Sequence, residues 1–213
     1  KKVVLKYDYD VNNNFAKIPV DSTNLMAHYK FNDSTNLGTD ATDNSNDAIV
    51  YGEPEYLSNN SISFTQGDGS QYLLFPTNII KDSGTTREQL TFTFWINKQQ
   101  SFTGHATYFC IDNNVSGDLS KTIFFGQTGT GSTYIHIRYG NSTVDINTDF
   151  DNRATNVWNH YAFVLRKDGN NANIKFYVNG IEYTAYNSNI TWIELDDNLK
   201  FNRWQTGIYN DNI

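Results

Sequence analysis

The stretch VWNHYAFVLRKDGNNANIKFYVNGIEY, Val157 to Tyr183, decides how the chain is read. Its histidine, aspartate and charged neighbours invite an active-site reading, but its periodicity answers otherwise. From Trp158 to Arg166, Tyr161, Phe163 and Leu165 alternate with Trp158, His160, Ala162 and Val164. That is the period-two pattern of a strand. Both sets are largely apolar, which predicts a strand in mid-sheet, covered on both faces. KDGNNAN reads as a turn, because Asp, Gly and Asn tolerate positive φ, and Ile174 to Asn179 reads as the return strand. Asn179-Gly180 is a two-residue hairpin signal and IEYTAY the next strand. The stretch is therefore a three-strand meander, with Trp158 and His160 structural.

The same alternation recurs along the chain. VVLKYDYD sets Val3, Leu5, Tyr7 and Tyr9 on one side, and LMAHYKF sets Leu25, Ala27, Tyr29 and Phe31 against His28 and Lys30. LTFTFWIN opposes Leu90, Phe92, Phe94 and Ile96 to Thr91, Thr93, Trp95 and Asn97, and YIHIRY alternates Ile135 and Ile137 with His136 and Arg138. The chain holds 14 Tyr, 14 Phe and 4 Trp, a strand-and-turn composition poor in the straight-chain residues that helices favour. Its 213 residues suffice for one large domain with a real core. The expected fold is all-β, an antiparallel two-sheet β-sandwich. Residues 1–22, with an Asn run and a proline, read as an N-terminal arm or linker strand, and residues 23–213 as the main domain.

A net charge of −7 without a basic stripe argues against nucleic acid and anionic membranes as partners. No run of about 18 apolar residues offers a bilayer span. Cys110 is the only cysteine, so no intrachain disulfide forms, and its apolar neighbours in TYFCID make it a buried thiol. Glycosylation sequons at Asn32, Asn59, Asn114, Asn141 and Asn189 match what an Asn/Ser/Thr-rich chain yields by chance. The start at Lys1 suggests a processed product or fragment.

At this point the chain resembles the laminin G-like, concanavalin A-like jelly-roll family. LMAHYKFNDSTNLGTDATDNSNDAIVYG resembles the family's opening strand and loop, and SISFTQGDGSQYLLFP its strand-turn-strand. LTFTFWIN resembles its central strand with a tryptophan, and VWNHYAFVLRKDG with IKFYVNGIEY its Trp-x-His strand and Asn-Gly hairpin. The likeness covers roughly Leu25 to Tyr183 and implies a concanavalin A-like jelly roll. The family's finishing strand, with an acidic pair and Arg-x-Tyr, has no counterpart where the chain stops at TGIYNDNI. Either that strand lies beyond this chain, or another chain or the N-terminal arm is expected to fill its place, because a missing strand exposes backbone groups.

Such folds host both glycosidases and binding modules. A retaining glycosidase needs two carboxylates about 5 Å apart. In WIELDDN, Glu194 and Asp196 share a face, but the third position is Asn198, which cannot protonate a leaving group. EPE at Glu53–Glu55 has no third acid. His28, His105, His136 and His160 lack zinc spacing, and GQTGTGSTY lacks the Lys-Ser/Thr of a phosphate loop. No enzyme is expected. Calcium is the ion to expect, because TDATDNSND clusters Asp40, Asp43, Asn46 and Asp47 as oxygen donors and similar family members bind calcium at such loops. The alternative is a solvated acidic turn.

Sugar binding, the use the resemblance implies for a module without catalytic acids, needs an exposed ring for a pyranose to stack upon. The candidates are Trp95, Tyr134, Tyr139, Trp192 and Trp204. The expected function is non-catalytic recognition of a glycan or surface protein, calcium-assisted, at an extracellular, cell or virion surface. The alternative is a structural or attachment component among neighbouring domains of a larger assembly.

Overall fold

The structure, a computed structural model, describes residues 24–64, 70–97, 106–112, 120–127, 134–147, 156–184 and 190–201. Its strands begin with β1 (Ile49–Tyr51), β2 (Glu55–Leu57), β3 (Ser61–Ser63) and β4 (Tyr72–Phe75), followed by β5 (Lys81–Asp82), β6 (Thr85–Thr86) and β7 (Gln89–Asn97). Next come β8 (Ala106–Asp112), β9 (Ile123–Gln127), β10 (Tyr134–Tyr139) and β11 (Ser142–Asn147). The last are β12 (Trp158–Asp168), β13 (Asn171–Val178), β14 (Ile181–Thr184), β15 (Ile190–Thr191) and β16 (Asn198–Phe201).

Among the described residues one sheet has seven strands in the order β1-β4-β16-β8-β9-β10-β11. The other has five, in the order β14-β13-β12-β7, with β15 also paired to β13. Pairing is antiparallel, and β2-β3 and β5-β6 form separate hairpins. The two sheets face each other as the sandwich that the alternation predicts.

The meander stands as β12-β13-β14, with β12 in mid-sheet between β13 and β7. Asn179 (φ 50°) and Gly180 (φ 83°) both take positive φ, as a type I′ turn requires. The preceding turn is tighter than its sequence suggests. Asp168 pairs with Asn171 across Gly169-Asn170 alone, so most of KDGNNAN belongs to strands. The outward residues of β12, from Trp158 to Val164, are half-buried rather than covered.

The segment expected to form the opening strand contributes one isolated bridge, Tyr29↔Asp40, instead of a ladder. Leu25, Ala27 and Tyr29 do turn into the core. Side chains take over the ladder's role here: Asn44 and Asn46 donate to the carbonyls of Leu25 and Met26, and Asp40 accepts from the His28 amide. Residues 1–22, expected to form an arm, and residues 202–213, where the finishing strand was sought, lie outside the described residues.

The core between the sheets is largely aromatic. Phe92 and Phe94 of β7, Tyr161 and Phe163 of β12 and Phe176 of β13 meet Phe109 of β8 and Phe125 of β9. Ring centroids lie 5.0 Å apart for Phe92–Phe109, 5.6 Å for Phe94–Phe125 and 5.1 Å for Phe125–Phe176. Such pairs add about 0.5–1.5 kcal/mol each beyond the area they bury. Between Thr107 and Phe109 the register with β9 shifts by one residue. The extra residue, Tyr108, thereby also turns inward, 5.6 Å from Tyr161 and hydrogen-bonded to it. Phe125 touches both sheets at once. Phe125→Ala is expected to cost about 3–5 kcal/mol in urea unfolding. Ile181→Ser, at a position 60% exposed, is expected to stay within about 0.5 kcal/mol.

Candidate functional site

β7 sends Leu90, Phe92, Phe94 and Ile96 into the core, which puts Thr91, Thr93, Trp95 and Asn97 on the outer face of the five-stranded sheet. Trp95 pairs in register with His160, and their rings lie 5.1 Å apart at 49°. Asn179 fixes the backbone of His160 from the far side: its Oδ1 accepts from the His160 amide at 2.9 Å and its own amide donates to the His160 carbonyl at 2.8 Å. Asn179 Nδ2 also donates to Asn159 Oδ1 at 3.0 Å. The hairpin asparagine thus holds the histidine against which Trp95 rests.

In the next row Thr93 faces Ala162, which faces Tyr177, which faces Glu182. The Tyr177 hydroxyl donates to Glu182 Oε2 at 2.7 Å, and Lys175 Nζ donates to both Glu182 oxygens at 2.9 and 3.1 Å. The Tyr177 bond, then Lys175, holds the Glu182 carboxyl below its usual range, and Lys175 is held above its own mainly by its bond to Glu182. Thr93 Oγ1 and Asn97 Oδ1, which flank Trp95 along its strand, are enclosed without a hydrogen-bond partner. Orphaned polar atoms of this kind cost about 1–3 kcal/mol each. The face therefore combines a half-buried indole, an imidazole on a pinned stretch of backbone, a fixed Tyr-Glu-Lys network and two enclosed polar atoms.

The other candidate aromatics among the described residues do not join this surface. Tyr139 is 1% exposed, and its hydroxyl accepts from the Ile193 amide at 3.1 Å. Burial pushes its phenol up to about 12. It is a core residue, which corrects the expectation that it meets a ligand. Trp192 packs half-buried against the core at the corner where β15 ends. Its Nε1 donates to Glu194 at 3.4 Å, and Lys167 Nζ sits 5.8 Å above its ring while bonded to Glu88. Lys167 thus occupies a ring face that a sugar would need. Tyr134 opens β10, paired with Asn147 on the seven-stranded sheet, and Trp204 lies outside the described residues.

The acidic loop is likewise a brace. Asp40 Oδ1 accepts from the amides of His28 (2.8 Å) and Thr42 (3.0 Å), and Oδ2 from Thr42 Oγ1 (2.6 Å) and the Asn46 amide (3.0 Å). A carboxylate has about four lone-pair sites, and protein donors engage all of them. Asp47 Oδ1 accepts from the Asp40 amide at 2.8 Å. Asn46, 2% exposed, donates to the Met26 carbonyl and accepts from Asn78, while Tyr29 donates to the Asn46 carbonyl. Burial first, then the charges of Asp40 and Asp47, push the Tyr29 phenol above its usual range. At the base of the loop a Cβ on Gly38 would lie 2.0 Å from the Ala48 oxygen. Asp43 is exposed. Among the described residues no group of three or more His, Cys, Asp or Glu could hold a metal. Asp40, Asn46 and Asp47 therefore close the loop, where the sequence suggested a metal cage.

Glu194 precedes β16, so the shared strand face expected for Glu194 and Asp196 does not form. Its Oε2 accepts from the Thr86 amide at 2.8 Å. Burial raises the carboxyl, but bonds from Thr86 and Trp192 and the Lys167 charge outweigh it, leaving the group below its usual range. A general acid needs the opposite. Sequence reasoning also missed a buried pair on the far side of the seven-stranded sheet: Lys200 Nζ lies 2.7 Å from Asp112 Oδ1. Its signal was faint, a lysine and an aspartate at alternating positions of two apolar strands, NLKF and ATYFCID.

The sequence profile described as the concanavalin A-like lectin/glucanases superfamily matches residues 66–205. No curated protein sequence matches significantly. Among solved structures, domain 4 of AbnA, a GH43 extracellular arabinanase from Geobacillus stearothermophilus, in complex with arabinotriose, is similar at 18% identity and a TM-score of 0.57, covering 88% of this chain and 87% of that one. A botulinum neurotoxin type C chain, described by its interaction with two ganglioside molecules, is similar at 17% identity and a TM-score of 0.55. That likeness covers 82% of this chain, which spans only 42% of the toxin chain. The binding domain of botulinum neurotoxin DC in complex with rat synaptotagmin II is similar at 19% identity and a TM-score of 0.53, over 76% of this chain and 40% of that one. These likenesses agree on the jelly-roll fold.

Two expectations follow from the braces. Asp40→Ala orphans several amides and should cost about 3 kcal/mol, by the same amount in calcium or in chelator. A melting-temperature shift that calcium reverses would favour the metal reading. The depressed Glu194 carboxyl contributes stability above its unfolded value of about 4.3 and loses it as pH falls through its folded value. Glu194→Gln should therefore lower the melting temperature at neutral pH by the equivalent of about 1 kcal/mol. The difference from wild type should fade in acid.

Proposed function

The chain belongs to the concanavalin A-like lectin/glucanases superfamily, and from that premise we propose that it is a non-catalytic module that binds glycans on the outer face of its five-stranded sheet. The observation that carries the reading is the half-buried Trp95–His160 pair on the same face as the solvent-facing Tyr177-Glu182-Lys175 network. An indole face takes the C–H face of a pyranose or furanose by dispersion and its π-electron density. The Tyr177-Glu182-Lys175 network supplies donors and acceptors already fixed in place, so hydroxyl recognition costs little further side-chain ordering.

The ligands of the similar structures, arabinotriose for the arabinanase domain and gangliosides for the toxin, make saccharides the class to test first. Glu194, the acid best placed by sequence for hydrolysis, is engaged in bracing and held ionised. That supports binding over turnover. A module of this kind works outside the cell, where polymeric glycans are, as that extracellular arabinanase does. No helix among the described residues is long and apolar enough to cross a membrane.

The test is a glycan array followed by isothermal titration with its best oligosaccharide. Trp95→Ala should weaken binding about tenfold or more, the equivalent of about 1.4 kcal/mol, with Trp95→Phe intermediate and the melting temperature as a control for folding. No binding across the array, or equal affinity for the folded Trp95→Ala variant, overturns the proposal.

A further inference from the structure

β16 lies beside β8 in the seven-stranded sheet, with Lys200 opposite Cys110 and Asn198 opposite Asp112. The intervening Leu199 and Ile111 belong to the core, so Lys200, Cys110, Asn198 and Asp112 share the other face. There Lys200 Nζ is 2.7 Å from Asp112 Oδ1, with the two side chains 3% and 0% exposed. Cys110, fully buried, donates from Sγ to Asp112 Oδ2 at 3.3 Å, and Asn198 Nδ2 donates to the Asp112 carbonyl at 3.1 Å. Leu74 is the cross-strand neighbour of Lys200, and fully buried Phe124 that of Cys110. An amine and a carboxyl are thus held at hydrogen-bond distance, on adjacent strands and shielded from solvent.

We propose that Lys200 and Asp112 condense to an isopeptide bond once the chain has folded. The attack requires that one ammonium proton first pass to the carboxylate within their hydrogen bond. The neutral amine then attacks the carboxyl carbon. A Cγ–Nζ bond forms and one Cγ–Oδ bond breaks. The ammonium's three hydrogens account for the whole exchange: two leave with the departing oxygen as water, and one stays on the amide nitrogen. No oxidant, reductant or cofactor enters. The carboxylate activates poorly in solution, but fixed proximity replaces concentration, and oriented pairs reach effective molarities of about 10⁵–10⁸ M. The Cys110 bond holds the second oxygen on which charge gathers during the attack. The product is a neutral amide in place of two buried charges, and it ties strands 88 residues apart in sequence.

The test is the intact mass of the purified wild-type chain, denatured after storage at neutral pH. The expected mass is that of the sequence less one water. A tryptic digest should show one branched peptide joining the segments of Asp112 and Lys200, with no cleavage after Lys200. Lys200→Met, which cannot condense, should show its full sequence mass. A wild-type mass equal to the sequence, with separate linear peptides for the two segments, overturns the proposal and leaves an ion pair. The wild-type measurement decides even where the variant fails to fold.

Discussion

β12 is held on both sides, with Tyr161 opposite Phe94 of β7 and Val178 of β13, and the rest of the molecule depends on that register. Side chains along a strand alternate between faces, so a slip of one residue would exchange every inward ring for an outward one. The existing register puts Tyr161, Phe163 and Leu165 into the aromatic core and sets His160 beside Trp95. Asn179 makes the register hard to escape, because the residue that turns the β13-β14 hairpin also bonds the amide and carbonyl of His160. The core and the proposed binding face are thus two sides of one set of strand pairings.

Charge is used in this protein mainly to close structure. Asp40 gathers four donors from a loop and an extended segment that lacks a ladder. Glu194 joins the residues before β16 to the amide of Thr86, and Asp112 meets Lys200 across β8 and β16. In each case an acid that could serve a metal or a reaction is engaged by protein donors. The outer face of the five-stranded sheet differs, because Thr93 Oγ1 and Asn97 Oδ1 are left unmet there.

Much of this was legible in the sequence where it is local. The alternation of LTFTFWIN and WNHYAFVLR gave the inward and outward sets correctly, including the outward position of Trp95, and Asn179-Gly180 announced its turn. What failed to show was set by partners distant in sequence. Tyr139 is the exception: alternation sets it on the face of Ile135 and Ile137, and taking it as a ligand contact read against that pattern. TDATDNSND reads equally well as a cage or a brace until its donors, such as His28 and Asn78, are known. LMAHYKF has the pattern of a strand, but its carbonyls meet asparagine side chains. Lys200 and Asp112 had no local signal linking them.

The central claim is that a saccharide sits on the face carrying Trp95, His160 and Tyr177. The most direct measurement is a ¹⁵N-edited nuclear magnetic resonance titration of the chain with the best oligosaccharide binder. The account predicts that the Trp95 indole resonance and the amides of His160 and Tyr177 move together, saturating at one affinity. Perturbations confined to residues 40–47 or to the seven-stranded sheet, with the Trp95 indole unmoved at saturation, would contradict it.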